Sequence, residues 1–528
     1  MFLPHNSSWL SVRFFVIESA GNEKQRWDLK RISLYIGPIL FLICLAIPNS
    51  AAMNEAVKAV GITTDIGPKY GLGVLLWTAT WWIFETTSLG LAALVPVILF
   101  GISGFVAWKD GIAPIMDPLV VVIISGFVFA KAFQIWGLDK RVALTLSSIS
   151  KTRNPAIAGF FVASLPVFLL TLTGSMTAAT SIVYGFVIAF LLKQGFDRGS
   201  RYGTGTFLAL GQAATAGSLL FLTSTTTNLI GKKIILEATK VNITFLDWFY
   251  VGTFHAIFGL LLSWIVIYWM VKPEVKQLPY DASALKEELK NLGPMKRGEK
   301  ITVILLLITL LLWLIPGLFS NFAADNPGLQ PVATLLALIL PEAAPATLVI
   351  FAFPMIKSEG RPLVKWGELI QEAVNWDIVF LVGGGITLGT GLMKTGFSNW
   401  VGILFKSIMG PAPNEFIIFA VCSLIGFLLS YPASNTGAAS VACPLAVSLS
   451  TAAGFSPIPA VLGAAIATTI PTTLPSTTPA MAIAYSSGFV KMRDMVKVGL
   501  VVDTIRFIVL VIIGLPLIKW FMAIRGIA

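Results

Sequence analysis

Long apolar runs fill this chain and leave few folds open to it. Ten stretches stand out: residues 33–48, 72–84, 89–106, 119–136, 249–271, 301–318, 332–354, 374–393, 416–429 and 496–520. A helix needs roughly 20 mostly apolar residues to cross a bilayer. In lipid every backbone N–H and C=O must find a partner within the structure, so only helices and closed barrels span. These runs are continuously apolar rather than alternating, which selects helices. Charge agrees. Of 528 residues, 56% are hydrophobic and only 12% are charged, against about a quarter charged in a soluble globule. So few charges cannot clothe a water-facing surface. The expectation is an all-α polytopic membrane protein with the lipid bilayer as its surroundings.

The formal net charge is +11, from 37 Lys and Arg against 26 Asp and Glu. In a soluble protein that excess would suggest nucleic acid. Here the basic residues sit in short connections, at Lys30 and Arg31, Lys140 and Arg141, Lys151 and Arg153, and through residues 272–300. That is the positive-inside bias. No nucleic-acid partner is expected, and residues 272–300 are expected to be cytoplasmic. There are two histidines, His5 and His255, and no paired aspartates, His–Glu zinc motif or Ser–His pair at membrane depth. An enzyme is therefore not expected. Cys44, Cys422 and Cys443 lie in apolar segments without metal-type spacing and read as packing residues. Residues 1–32 carry Arg13, Glu18, Glu23, Lys24 and Arg26 and lack the apolar core of a cleaved signal peptide. They read as a cytoplasmic segment of a protein of the bacterial inner membrane. The sequons at Asn6 and Asn242 read as chance matches.

The hydrophilic stretch 272–300 separates two membrane regions, 33–271 and 301–528, which repeat landmarks in one order. A glycine-marked helix followed by an aromatic occurs at 125–138 and again at 383–397. An apolar pair interrupted by a small polar cluster occurs at 172–181 and 431–440. A small-residue helix broken by a hydroxyl-rich knot occurs at 221–231 and 472–482. Interrupted apolar segments at matching places in two halves point to a transporter binding site. Non-helical backbone is tolerated at membrane depth only inside protein or beside a water-filled cavity. A broken helix also leaves N–H groups free at an end carrying about half a positive charge, which binds anions. Carbonyls freed at the other end can hold a small cation. A single Ser/Thr cluster would be read as close helix packing. Four clusters in matching pairs favour a site. Hydropathy leaves open which segments span and which re-enter, and hence whether the repeats are parallel or inverted.

These residues resemble the divalent-anion:sodium symporter family of dicarboxylate, citrate and sulfate transporters. The resemblance rests on an ordered series. Trp81, Trp82 and Glu85 precede Leu94, Val95 and Pro96; then come Trp136, Gly137 and Leu138. Gly293, Pro294 and Met295 lead to Glu299, Lys300 and Trp313. Trp376 precedes Gly383, Gly384 and Gly385, and Thr395 and Gly396 follow. Ser434, Asn435 and Thr436 form the most specific match, and Tyr485 to Gly488 with Lys497 to Gly499 closes the series. The resemblance implies about eleven transmembrane helices plus two re-entrant hairpins in inverted repeats. It also implies a homodimer with an elevator-type motion, a small anionic substrate and Na+ as coupling ion. The hairpins would span roughly 160–192 and 414–453. It assigns substrate contacts to Ser175, Thr177, Thr225, Ser434, Asn435, Thr436, Thr478 and Pro479, and sodium to Ser175, Ser224, Asn435 and Thr477.

Three departures bear on coupling. Met176 stands where the family has Asn at the first tip. Ala480 and Met481 stand where it has Pro and Asn after Pro479. Asn228 is kept, but Thr226 and Thr227 replace two prolines. A thioether cannot replace an amide as a sodium ligand or as a donor to carboxylate, which weakens the first sodium site. Lys131, in the apolar stretch 119–136, is a candidate charge partner for the substrate. Snorkelling toward the interface near Trp136 is an equal alternative for it. Lys193 and Lys394 read as snorkelling residues, Glu85 as a cap or brace of scaffold helices, and Asp377 as placed by the helix dipole and the interface. The functional expectation is sodium-coupled symport of small di- or tricarboxylates. The alternatives are sodium-independent dicarboxylate exchange and transport of sulfate or another oxyanion.

Overall fold

The computed structural model describes residues 20–149, 152–279, 284–409, 414–431 and 434–527. The first nineteen residues, including the sequon at Asn6, lie outside the described residues, as do Lys151 and residues 432–433 of the second polar cluster.

The described chain is helical apart from one small ribbon. α1 (Ala20–Ala46), α2 (Ala51–Val60), α3 (Gly67–Ile83) and α4 (Leu94–Ser103) lead to α5 (Pro118–Trp136) and the amphipathic α6 (Leu138–Ser147). Then α7 (Pro155–Thr173) turns back into α8 (Met176–Lys193). α9 (Arg201–Gly217) and α10 (Thr226–Thr239) are two parts of a broken helix, and the long α11 (Phe245–Met270) follows. The second half has α12 (Ala284–Asn291), α13 (Arg297–Asp325), α14 (Gln330–Ile339) and α15 (Ala343–Met355). There the first half's series recurs. α16 (Trp376–Lys394) and α17 (Phe397–Met409) precede a hairpin of α18 (Glu415–Leu429) and α19 (Asn435–Ala452). A second broken helix, α20 (Pro457–Thr468) and α21 (Pro479–Ser486), precedes α22 (Met492–Ile524). Between α15 and α16, β1 (Lys357–Ser358) pairs antiparallel with β2 (Arg361–Pro362), Lys357 opposite Pro362. Glu359 and Gly360 both take positive φ, as a two-residue turn between twisted strands requires.

Local signals set several ends. Pro118, Pro155, Pro457 and Pro479 sit in first turns, where a missing N–H costs nothing. Gly137 closes α5 at φ 70°, the left-handed cap that glycine adopts without strain. Cys44, Cys422 and Cys443 are buried, as packing residues should be.

Among the described residues, seven helices are long and apolar enough to cross a membrane, or nine if two bent pairs each count as one span. Contacts between connections sort the helix ends into two faces. On one, Arg141 pairs with Glu299 at 2.5 Å and donates to the Gly293 carbonyl. The Leu278 N–H donates to the Arg153 carbonyl, and the Tyr202 N–H donates to Glu274. The Trp136 indole donates to the Leu363 carbonyl, and the Thr204 hydroxyl donates to that of Phe489. This linker face gathers the end of α5, the base of the first hairpin and the starts of α9, α13 and α22. On the opposite face Lys233 pairs with Asp117 at 2.6 Å, Arg525 with Asp247 at 2.9 Å, and Lys519 with Glu415. Lys394 lies 3.7 Å from Asp110 there, both partly exposed. So α5 and α16 run in opposite directions, and the two hairpins enter from opposite faces.

Glycines seat the hairpins on these two helices. A Cβ built on Gly126 of α5 would lie 3.3 Å from Gly174 Cα at the first hairpin tip. One on Gly385 of α16 would lie 2.5 Å from Ser440 Oγ of α19. Small residues let backbones approach this closely where no hydrophobic drive separates helix from lipid.

Candidate functional site

Each hairpin tip and each helix break starts a new helix from an extended residue. At the first tip Gly174 (φ 82°) reverses the chain, and Ser175 caps α8 by accepting from the Ala178 N–H at 3.1 Å. At the second tip Ser434 caps α19 through the Gly437 N–H at 3.2 Å. At the second break Thr478 caps α21 through the Met481 N–H at 3.1 Å, with Pro479 in the first turn. At the first break Thr225 is extended but makes no side-chain cap bond, so the first N–H groups of α10 lack that partner. In all four cases an oxygen-bearing residue sits where orphan N–H groups concentrate.

Contacts draw these places together. Thr226 Oγ1 and Thr436 Oγ1 are 2.5 Å apart, joining the first break to the second tip. Thr227 Oγ1 and Thr469 Oγ1, 3.0 Å apart, join the two breaks. Gly174 packs beside the Thr223 carbonyl, joining the first tip to the first break. Ser430 of the second hairpin donates to the Thr468 carbonyl at the second break, 2.7 Å away. Of the expected site residues, Ser224, Asn435, Thr477 and Thr478 are buried. Ser175, Thr225, Ser434 and Thr436 are half-buried, and Thr177 and Pro479 are exposed. Trp82 backs the second tip, near Gly437, and its indole donates to the Leu89 carbonyl.

Two polar groups at this convergence stand out. The Ser224 hydroxyl is buried and has no hydrogen-bond partner among the described residues. Asn435 is ringed by oxygens. With Nδ2 turned inward it donates to Ser430 Oγ at 2.7 Å, Thr477 O at 2.8 Å and Thr468 O at 3.1 Å. With Oδ1 inward, it joins those three in a cluster of oxygens. Such a cluster repels itself unless a hydrogen or a cation lies among its members, and an amide brings only two hydrogens.

The family-pattern asparagines and their methionine replacements behave differently. Asn228 donates to the carbonyls of Ser218 (2.9 Å) and Phe221 (3.1 Å), satisfying backbone freed by the break. Met481 is fully buried, and its sulfur meets Gly211 of α9. Met176 is half-buried against the core. Lys131 has a partner of its own. It donates to Glu372 at 2.6 Å, and its ammonium holds that exposed carboxyl below the usual range. Lys131 lies five residues from Gly126, hence about 7.5 Å along α5 and roughly 140° around it. Gly126 touches the first tip, so Lys131 sits on a different side of α5, in an ion pair with Glu372.

Sequence reasoning missed Ser430, Thr468, Thr469, Tyr431 and two buried charges. Asp503 of α22 accepts from the Thr472 N–H at 2.8 Å, from the hydroxyls of Thr472 and Thr473 at 2.6 and 2.8 Å, and from Tyr431 at 3.3 Å. Arg506 lies one turn on and donates to the Ile470 carbonyl at 3.4 Å. The signal was legible, since both are ionisable residues within the apolar stretch 496–520.

The sodium:sulfate symporter transmembrane region matches residues 28–524 of this chain. The sodium-dependent dicarboxylate transporter SdcS of Staphylococcus saprophyticus is 28% identical over 498 residues, 91% of this chain and 90% of that protein. SdcS of Staphylococcus aureus strain USA300 is 27% identical over 526 residues, 97% and 96% of the two. A solved structure of Neisseria gonorrhoeae MtrF aligns at TM-score 0.48 and 14% identity over 82% of this chain and 85% of that one, a likeness too slight to bear on function. With a match along nearly its whole length and the helical, polytopic architecture above, the chain belongs to the sodium:sulfate symporter family and is an integral multi-pass membrane protein.

Proposed function

We propose that this protein is a secondary active transporter that takes up small dicarboxylates by sodium-coupled symport. The observation that carries the reading is the meeting of two hairpin tips and two helix breaks through Thr226–Thr436, Thr227–Thr469 and Ser430–Thr468. Each of the four helix N-termini there brings roughly half a positive charge. Together they offer about two, which balances a dianion without a fixed cationic side chain. Ser175, Thr177, Thr225, Ser434, Asn435, Thr436, Thr478 and Pro479 form the substrate's polar cradle. Sodium takes the place among the oxygens of Asn435, Ser430, Thr468 and Thr477, and a weaker second ion lies near Ser175 and the unpartnered Ser224 hydroxyl. The names of the relatives support the dicarboxylate class and sodium dependence.

The two repeats, 33–271 and 301–528, are inverted copies, with the basic linker on the cytoplasmic side and residues 1–32 preceding them. The hairpins and broken helices move across the bilayer as one body, elevator fashion. Apolar side chains exposed on α13–α15, such as Leu311, Leu338 and Phe351, suit lipid and a second copy of the chain in a homodimer. A second reading, sodium-independent exchange, is favoured by Met481, whose buried thioether packs at Gly211 where the resemblance leads one to expect an asparagine.

Uptake of labelled succinate into proteoliposomes decides between them. Symport predicts accumulation driven by an inward sodium gradient and abolished in choline. A rate indifferent to sodium but raised by internal succinate would replace symport with exchange. Citrate and sulfate as competitors set the substrate class.

A further inference from the structure

Asp503 and Arg506 are 0% and 3% exposed in the interior of α22. Charges leave water only where something specific compensates them. Among the described residues, no cation stands within ion-pair distance of Asp503. Its carboxylate is instead held by one backbone N–H and three hydroxyls, those of Thr472, Thr473 and Tyr431. Arg506 meets a carbonyl of the same unwound stretch, that of Ile470. Gly499 permits the close approach, since a Cβ there would lie 2.5 Å from Thr473 Cα. One turn of α22 thus grips the unwound chain by both backbone polarities.

The place of that grip gives it meaning. Thr472 and Thr473 lie between Thr468 and Thr477, whose carbonyls face Asn435. Tyr431 is adjacent in sequence to Ser430, which supplies the third oxygen facing Asn435. Asp503 therefore holds both sources of that oxygen cluster, the hairpin tip and the helix break. The first half does this with neutral groups. There α11 braces the first break through the Trp248 indole, which donates to the Leu219 carbonyl at 3.0 Å, and through close packing at Gly252.

We infer that Asp503 is a positioning residue for the coupling ion, setting the spacing of the oxygens from Ser430, Asn435, Thr468 and Thr477. This rests on the sodium-coupled reading above. Asp503→Asn keeps the shape and removes the charge, while Tyr431→Phe removes a single hydroxyl. The readouts are the sodium half-saturation of succinate uptake, the succinate KM at saturating sodium, and hydrogen exchange of a peptide spanning 469–477. Loss of charge-assisted hydrogen bonds predicts a sodium half-saturation raised about tenfold in Asp503→Asn. The succinate KM at saturating sodium stays within about twofold, exchange at 469–477 quickens, and Tyr431→Phe shifts sodium dependence less and in the same direction. Wild-type sodium half-saturation in Asp503→Asn, or an equal shift in both constants, overturns the inference. If Asp503→Asn fails to fold, Tyr431→Phe decides by the same criteria. If the wild type shows no sodium-driven uptake, the transport reading fails separately. Exchange at 469–477 then decides, and an unchanged rate in Asp503→Asn overturns the positioning role.

Discussion

At the scale of single residues, two asparagines that look equivalent in sequence do different work. Asn228 satisfies two backbone carbonyls left by the first break, whereas Asn435 faces the oxygens of Ser430, Thr468 and Thr477. Removing the Asn228 amide leaves buried acceptors unpaired, a cost of about 2 kcal/mol. Asn228→Ala is therefore expected to lower the melting temperature by about 2 °C with sodium half-saturation little changed, and Asn435→Ala to abolish sodium-driven uptake. Melts and uptake on the same preparations check both; the opposite pattern would exchange their roles. Ser434, Asn435 and Thr436 were singled out through the family resemblance; the residues alone showed only a small polar cluster interrupting an apolar pair at 431–440. Thr468 and Thr477 face Asn435 through backbone carbonyls, which every residue has, so no side-chain pattern announces that contact. Lys131 reads as a buried charge until Glu372, 241 positions away in sequence, is seen beside it.

At the scale of elements, turn chemistry decides where the hairpins reverse. Gly174 holds φ 82°, and a Cβ there would approach Gly126 Cα at 3.0 Å. A left-handed backbone costs an L-residue about 1–2 kcal/mol before any clash. Gly174→Ala is expected to lose at least that much stability and to weaken uptake by lifting the tip from α5; a wild-type melt and rate would contradict this seating. The amphipathic α6 carries a pH signature. Burial pushes the Asp139 carboxyl up to about 6 from an ordinary 3.8. The folded state then holds a proton that the unfolded chain releases first. Stability is full below about pH 4 and falls as pH rises through about 6, by at most on the order of 3 kcal/mol. Asp139→Asn should flatten that slope in melts at pH 4 and pH 7, and an unchanged slope would assign it to another group. Proline and glycine made many of these ends readable. The π-helical turns at Phe160–Ser164 and Leu510–Gly514 run into Pro166 and Pro516, which lack the N–H a regular turn needs, whereas the one at Leu369–Ala373 has no proline after it and no sequence signal.

At the scale of the molecule, matching landmarks in the sequence suggested two repeated halves and left their relation open. The reason is physical. α7 and α8 are each long and apolar enough to count as spans, yet they turn back at Gly174. Only contacts between distant connections place the two hairpins on opposite faces. That arrangement is testable from outside. Lys286 of α12 lies on the linker face, whereas Asn326, beyond the far end of α13, lies opposite, and both are exposed. Single cysteines at these positions should react with an impermeant maleimide from opposite sides of the membrane, against a low background from the three buried native cysteines. Labelling from one side would refute the opposed hairpins. Whether tips and breaks together cradle a dianion and its sodium is decided by a structure solved with sodium and succinate. Succinate is expected within hydrogen-bond reach of Ser434, Asn435 and Thr436 and of the N-termini of α10 and α21, with an ion among the oxygens of Ser430, Asn435, Thr468 and Thr477. Succinate bound anywhere else, with this convergence closed and empty, would contradict it.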